Sequence, residues 1–200
     1  MSERDWDESY RKGVPPWDPG DYDAHLPRVL ADHRIVPGRA LDIGCGEGKS
    51  ALYLAGYGFT CTGIDVAPSA IETAKSRAAE SGILACDFRV GSFPEDVDRP
   101  DDGYDFIMDR GLFHILREST DTGRYLDKVC ELLAPNGVYY TLMAKLEGAT
   151  NGGGPPKWTE NEVRAAFEPK MQVRELRADR FFPRDPDSMP GWVVVAGAAE

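Results

Sequence analysis

Leu41-Asp-Ile-Gly-Cys-Gly-Glu-Gly-Lys-Ser50 is an apolar strand end that breaks into three alternating glycines, and a second apolar run, Thr60–Ile64, ends on Asp65. Glycines at 44, 46 and 48 let the chain turn sharply and leave no Cβ between main chain and ligand. A strand, a glycine turn and a helix, with an acid at the end of the next strand, is how α/β sheets hold the ribose of an adenosine compound. Two common versions of this turn fail on spacing. The dinucleotide fingerprint G-x-G-x-x-G requires its third glycine where Lys49 stands, and a phosphate-binding P-loop ending at Gly48-Lys49-Ser50 requires a glycine where Ile43 stands.

Around this turn the chain alternates strand and helix. Apolar spacing predicts a helix over 21–34 and strands over 40–43 and 60–64. The helix between those strands carries Ala51, Leu52, Leu54 and Ala55 and is ended by Gly56 and Gly58. A third helix starts at Ala67-Pro68, where proline suits a first turn, and stops at Gly82. Strands are expected at 87–90 and 104–108, and a helix over 122–133 is stopped by Ala134-Pro-Asn-Gly137 before a strand at 138–143. A helix at 160–167 and an antiparallel pair, 172–176 with 192–197, complete seven strands. The order predicts a single α/β domain over 1–200, a doubly wound, mostly parallel sheet whose last strand pair is antiparallel. Ligands in such sheets sit beyond the carboxyl ends of the strands. That rule selects Gly44–Gly48, Asp65-Val66, Ser92-Phe93 and Asp109-Arg110-Gly111.

Composition excludes several classes of function. A net charge of −11 with no dense basic stripe argues against nucleic acid as partner. No apolar run approaches the roughly 20 residues of a membrane helix, and the opening MSERDWDESY has no apolar leader core. Cys45, Cys61, Cys86 and Cys130 form no C-x-x-C pair, which argues against zinc and for reduced thiols in a cytoplasmic protein. The expected partner is a small molecule, and the chain is expected to be a monomer or homodimer.

The segments LDIGCGEG and GIDVAPSAIETA resemble the motifs of class I S-adenosylmethionine-dependent methyltransferases. The resemblance implies the Rossmann-like methyltransferase fold and S-adenosyl-L-methionine as cofactor. It places the glycine loop (Gly44, Cys45, Gly46, Gly48) against the methionine end of the cofactor, Asp42 as the acid opening that loop, and Asp65 on both ribose hydroxyls, with Val66 beside it. In that pattern the loop after the third strand meets adenine, which falls on Ser92 and Phe93, and Asp109 is expected with them to flank the adenine and methyl end. The N-terminal string WDESYRKGVPPWDPG is similar to the opening of halide and thiol methyltransferases, which implies that Trp17 lies over the cofactor and that residues 1–35 close its site. FIMDRGLFHIL resembles the aspartate-arginine-glycine segment of thiopurine methyltransferases, departing from it after the glycine, and GGGPPKWTENEVRAAF resembles a loop and helix common to both groups. By this resemblance residues 145–158 cover the substrate.

Structural readings stand beside each of these. Trp6, Tyr10 and Trp17 also suit an arm pinned down by aromatic burial, and Asp18 suits a turn. Arg110 either pairs with Asp109 or another buried carboxylate, or meets an anionic ligand with its fork of donors. His114 is either a packed residue or a base. Transfer of an activated methyl group needs alignment above all, and an acceptor that ionises near neutral pH needs no strong base. The only candidates for a base are His114 and Asp109. The reading is therefore a small-molecule methyltransferase of thiols, thiopurine-like compounds or other soft nucleophiles, with His114, Asp109 and Arg110 as catalytic candidates. The alternatives are an O- or N-methyltransferase of a small aromatic metabolite, in which His114 serves as base, and a non-catalytic protein that binds S-adenosylmethionine to regulate a partner.

Overall fold

Strands covered on both faces have no need of polar residues on either, and the central segments here read as nearly unbroken apolar runs. The computed structural model describes residues 6–13, 15–18, 20–116, 121–148 and 154–199. Its helices are α1 (Trp6–Arg11), α2 (Leu26–Asp32), α3 (Lys49–Tyr57), α4 (Pro68–Glu80), α5 (Asp121–Leu132) and α6 (Glu160–Phe167). Its strands are β1 (Arg39–Ile43), β2 (Thr60–Asp65), β3 (Cys86–Val90), β4 (Tyr104–Arg110), β5 (Leu133–Ala144), β6 (Met171–Arg180) and β7 (Pro190–Ala198). One sheet holds them in the order β3-β2-β1-β4-β5-β7-β6. β1 to β5 pair in parallel, and β7 enters antiparallel to both of its neighbours. The doubly wound sheet expected from the sequence is therefore present, with β7 slotted between β5 and β6.

Alternation along the strands sorts side chains into two cores. Ala40, Phe106, Met108 and Tyr140 pack under α2, α3 and α4, while Leu41, Ile107, Tyr139 and Met143 pack under α5 and α6. The same alternation sends Asp42 to the first face and Asp109 to the second.

Besides α1, which no sequence pattern announces, three elements differ from expectation. The helix expected over 21–34 forms only at Leu26–Asp32, because Asp23 turns its side chain back onto the His25 amide at 3.0 Å and offers the chain a turn in place of a helix. Ala134–Gly137 does not separate α5 from β5. It is a bulge inside β5, whose register against β4 shifts between Tyr104 and Phe106. β6 runs four residues past Leu176 to Arg180, because its pairing with β7 continues to Arg180 opposite Pro190. That extension carries Phe181 and Phe182 to the edge of the sheet where the glycine loop lies.

Candidate active site

The glycine loop is anchored from below and covered from above. The amides of Gly44 and Cys45 both donate to the Ile64 carbonyl, at 2.8 and 3.0 Å, which folds the loop over the end of β2. Asp65 closes it: one carboxylate oxygen accepts from the Gly46 amide and the other from the Ala67 amide, both at 2.9 Å. Each oxygen keeps lone-pair capacity for a further donor, and Asp65 lines the cleft. Gly46 has φ of +52°, and a Cβ there would lie 2.7 Å from the Tyr10 hydroxyl. Gly48 has φ of +76°, and its missing Cβ faces inward, 2.6 Å from the Phe88 ring and 2.9 Å from Ala74. Gly48 therefore lets α3 settle against β3 and α4 and does not front the cleft, a correction to its expected place beside a ligand.

The cover is the N-terminal arm. Asp7 of α1 accepts from the Ser69 amide (2.8 Å) and hydroxyl (2.5 Å), capping the first turn of α4 from another element. These bonds hold the Asp7 carboxyl down at about 2. Lys49 grips both oxygens of Asp18 at 2.6 and 2.7 Å. The Trp17 ring lies edge-on to Trp6, with centroids 5.2 Å apart, and its indole N–H donates to the Tyr10 hydroxyl at 3.3 Å. In the sequence Lys49 figures only in the two loop patterns that fail on spacing. Its partner is Asp18, from the arm.

Beneath the arm lies a cavity of about 600 Å³, walled in part by Trp6, Tyr10, Trp17, Gly44, Asp65 and Val66. Ser92 and Phe93 line it too, the Phe93 ring braced edge-on against Tyr125 at 4.6 Å. The remaining wall holds residues the sequence did not single out: Ile115, Phe181, Phe182 and Met189. An aromatic pair in a strand connection, Phe181-Phe182 before Pro183, was the available signal. Gly154 and Pro155 also reach the cavity. The bridge between Lys145 and Trp158 holds that segment to the end of β5, while residues 149–153 of the expected 145–158 cover lie outside the described residues.

A narrower chamber of about 70 Å³ adjoins it, lined by Asp42, Cys45, Gly46, Lys49 and Arg110 among others. Asp42 is buried, and among the described residues its Oδ2 has no hydrogen-bond partner. Burial first, then the carboxylates of Asp65, Asp109 and Asp23, push it up to about 8. Burial likewise pushes the Cys45 thiol well above its ordinary value.

Of the expected catalytic group, Asp109 is not at the cavity. It is fully buried on the α5 side and accepts from the Leu112 and Phe113 amides at 3.1 and 3.0 Å. The hydroxyls of Tyr125, Tyr139 and Thr141 donate to it as well. With five donors it organises the turn after β4, and it does not line the cavity where the adenine and methyl end were expected to meet it. Arg110, the next residue, points the other way. Its two terminal nitrogens donate to the carbonyls of Trp17 (2.8 Å) and Phe181 (3.0 Å), and its plane lies 5.3 and 5.0 Å from the rings of Phe181 and Phe182. Its Nε is buried and has no hydrogen-bond partner among the described residues. His114 sits in a 3-10 turn, Phe113–Leu116, 4 % exposed and at the cavity wall. Its Nδ1 accepts from the Ala144 amide at 3.0 Å. Burial, then the charges of Arg110 and Lys157, hold the ring down at about 3.

A family model described as a methyltransferase domain matches residues 40–137. The chain is 32 % identical over 173 residues to 2-heptyl-1-hydroxyquinolin-4(1H)-one methyltransferase of Mycobacteroides abscessus, covering 84 % of this chain and 73 % of that one. The chain belongs to the class I S-adenosylmethionine-dependent methyltransferases. Thiocyanate methyltransferase 1 of Brassica oleracea is 28 % identical, covering 78 % of this methyltransferase and 67 % of its own length. A solved methyltransferase structure from Methanosarcina mazei superposes with a TM-score of 0.70 at 21 % identity, over 85 % of this chain and 98 % of that one, which bears on the fold alone. The cofactor of this methyltransferase is S-adenosylmethionine, and the geometry fits it. The orphaned Asp42 oxygen opens on a small chamber beside the glycine loop, and a cationic group placed there would offset the burial and carboxylate repulsion that push Asp42 up. The cradle over Gly46 is one that a Cβ would fill. Among the described residues no helix is long and apolar enough to cross a membrane.

Proposed function

We propose that this methyltransferase acts on a flat heteroaromatic acceptor and methylates a ring-borne hydroxyl or thiol. The observation that carries the reading is the wall built by Phe181, Phe182, Met189 and Ile115. Such a wall gains by burying a ring and offers a small inorganic anion little. The relative from Mycobacteroides abscessus is by name a hydroxyquinolone methyltransferase, which supports an aromatic acceptor. The thiocyanate relative covers slightly less of this chain at lower identity.

In this reading Asp65 holds the ribose hydroxyls with the lone pairs its two amide donors leave free. Val66, Ser92 and Phe93 flank adenine. Gly44 and Gly46 lie along the methionine end, where Asp42 meets the ammonium group, and Cys45 shapes the floor. Trp17 closes the arm over both ligands. Bound S-adenosylmethionine supplies a methyl group already activated by a sulfonium. The chain supplies alignment and a dry cleft, effects worth up to about 7–11 kcal/mol when donor and acceptor meet in line.

Transfer of labelled methyl to a panel of hydroxy- and mercapto-heteroaromatics, aliphatic thiols, thiocyanate and iodide tests the reading. Heteroaromatics are expected to lead in kcat/KM by about tenfold or more, the scale of one well-filled apolar pocket. Transfer confined to thiocyanate, iodide or aliphatic thiols would overturn it.

A further inference from the structure

Resting on that proposed reaction, we infer that His114 is a fixed hydrogen-bond donor to the acceptor's anionic group and takes no proton from it, so that the cleft selects acceptors that ionise on their own. The argument begins with the tautomer. A backbone amide can only donate, and the Ala144 amide points at Nδ1 from 3.0 Å. Nδ1 therefore carries the lone pair, and in the neutral ring Nε2 carries the hydrogen. The carbonyl of His114 accepts from the Trp158 indole at 3.2 Å, so the residue is held at its backbone as well as its ring. The Phe181 ring, with its centroid 5.8 Å away, packs beside it.

His114 lines the cleft, and the free edge of its ring lies beside Gly111. A Cβ built on Gly111, itself a cavity residue, would lie 3.4 Å from His114 Cε1 and 3.8 Å from Nε2. Among the described residues nothing hydrogen-bonds Nε2, although the side chain is almost wholly buried. A base would have to present a lone pair there, and this edge presents a hydrogen. Turning the ring over would strand the Ala144 amide against a carbon. The charged groups acting on the ring are Arg110, from the end of β4, and Lys157, from the segment before Trp158. β5 contributes a backbone amide, and the β6–β7 connection contributes an aromatic ring. Both charges are cationic, and both oppose protonation of the ring while favouring an anion beside it.

The balance of the reaction then closes without a protein base. The acceptor loses its O–H or S–H proton to solvent before transfer. Its lone pair forms the new bond to the methyl carbon as the carbon–sulfur bond of the sulfonium breaks, and that electron pair returns to sulfur. No proton remains for the chain to take. Selectivity follows from acidity: a hydroxyl or thiol that stays protonated near neutral pH finds a donor where it needs an acceptor.

Two measurements on the unaltered protein decide the matter. The ¹⁵N signals of the His114 ring should show hydrogen on Nε2 and none on Nδ1 from about pH 5 to 8, where an ordinary histidine titrates. A titration within that range would overturn the inference. With acceptors of graded acidity, the acidic limb of the kcat/KM profile should move with the acceptor, and a limb fixed at one pH for all of them would overturn it. His114→Gln, which keeps an N–H at similar reach, should retain activity within about threefold, while His114→Ala should raise the acceptor KM more than it lowers kcat. A base would instead lose about 10²–10⁴-fold in kcat in both variants. The profile is read on whichever protonated acceptor is turned over. The acceptor panel therefore tests the heteroaromatic reading, and the position of the limb tests this one.

Discussion

Gly46 and Gly48 are two residues apart, share a left-handed backbone and should fail in different ways when given a methyl group. Each alanine would sit at positive φ, +52° and +76°, a cost of about 1–2 kcal/mol for an L-residue. At Gly48 the new Cβ also meets the Phe88 ring at 2.6 Å and Ala74 at 2.9 Å. Phe88 is buried in the core beneath α3 and α4, so the ring cannot retreat without moving β3, and overpacking of that kind adds about 1–3 kcal/mol. Gly48→Ala should therefore destabilise the fold by about 2–5 kcal/mol, which for a chain of this size lowers the thermal midpoint by roughly 4–20 °C. At Gly46 the obstacle is the Tyr10 hydroxyl at 2.7 Å, the far end of a side chain on the arm. The arm can lift, so Gly46→Ala should cost the fold only the backbone term of about 1–2 kcal/mol and weaken cofactor binding beyond what stability explains. Calorimetric unfolding and cofactor titration on both variants provide the comparison. Equal midpoints for the two, or a Gly48→Ala midpoint within about 2 °C of the parent, would refute the assignment of Gly48 to packing and Gly46 to closure.

Asp42, pushed up to about 8 by burial and its carboxylate neighbours, holds a proton in the free protein that the unfolded chain releases near pH 4. Its contribution to stability is complete below about 4 and is lost as pH rises through about 8. The midpoint of the cofactor-free protein should therefore fall over that window, less steeply in Asp42→Asn, and an identical slope in the variant would remove Asp42 as the source. Asp7 has the opposite sign: held down at about 2 by Ser69, its clamp is present at neutral pH and lost as pH falls from about 4 through about 2. Asp7→Ala should lower the unfolding midpoint by a few degrees at neutral pH, the scale of a lost helix cap, while exposing the Trp6 and Trp17 fluorescence to iodide and weakening cofactor binding, and unchanged quenching would argue that the arm is held elsewhere. Arg110→Lys keeps the charge but reaches one carbonyl where arginine reaches two. Losing a charged hydrogen bond of about 1.5–3 kcal/mol should weaken cofactor or acceptor binding by roughly tenfold or more, and equal affinities in titration would show that the bridge carries no energy.

What the sequence made legible was whatever local chemistry forces. Three glycines at alternating positions after an apolar run, with an acid closing the next one, admit few folds, and Asp65 indeed ties the loop to β2. The helix expected at 160–167 forms as α6, and Thr159 and Glu162 close a capping box at its start. The short α1 has no sequence signature of its own, because six residues cannot sustain a helix alone. It exists by virtue of Ser69, 62 positions away. Asp109 was misplaced for a reason of parity. β4 continues through Arg110, so the alternation that buries Ile107 also buries Asp109 among Tyr125, Tyr139 and Thr141. Phe181 and Phe182 were passed over because the reach of β6 is set by its pairing with β7, a contact no local pattern records.

That same parity explains why Arg110 is where it is. One residue after a carboxylate buried on the α5 side, the strand turns its next side chain to the opposite face, among the arm and the β6–β7 connection. The two covers come from opposite ends of the chain, 71 and 93 residues from Arg110, and among the described residues its guanidinium donates to a main-chain carbonyl of each. Neither carbonyl belongs to a residue whose side chain makes the bond, so substitutions at Trp17 or Phe181 leave the bridge intact while changing what the wall touches. A cleft built in this way can vary its aromatic lining for different acceptors and keep its cover, because the bonds that hold the cover, Arg110 to two carbonyls, Lys49 to Asp18 and Asp7 to Ser69, involve none of the aromatic side chains of the wall.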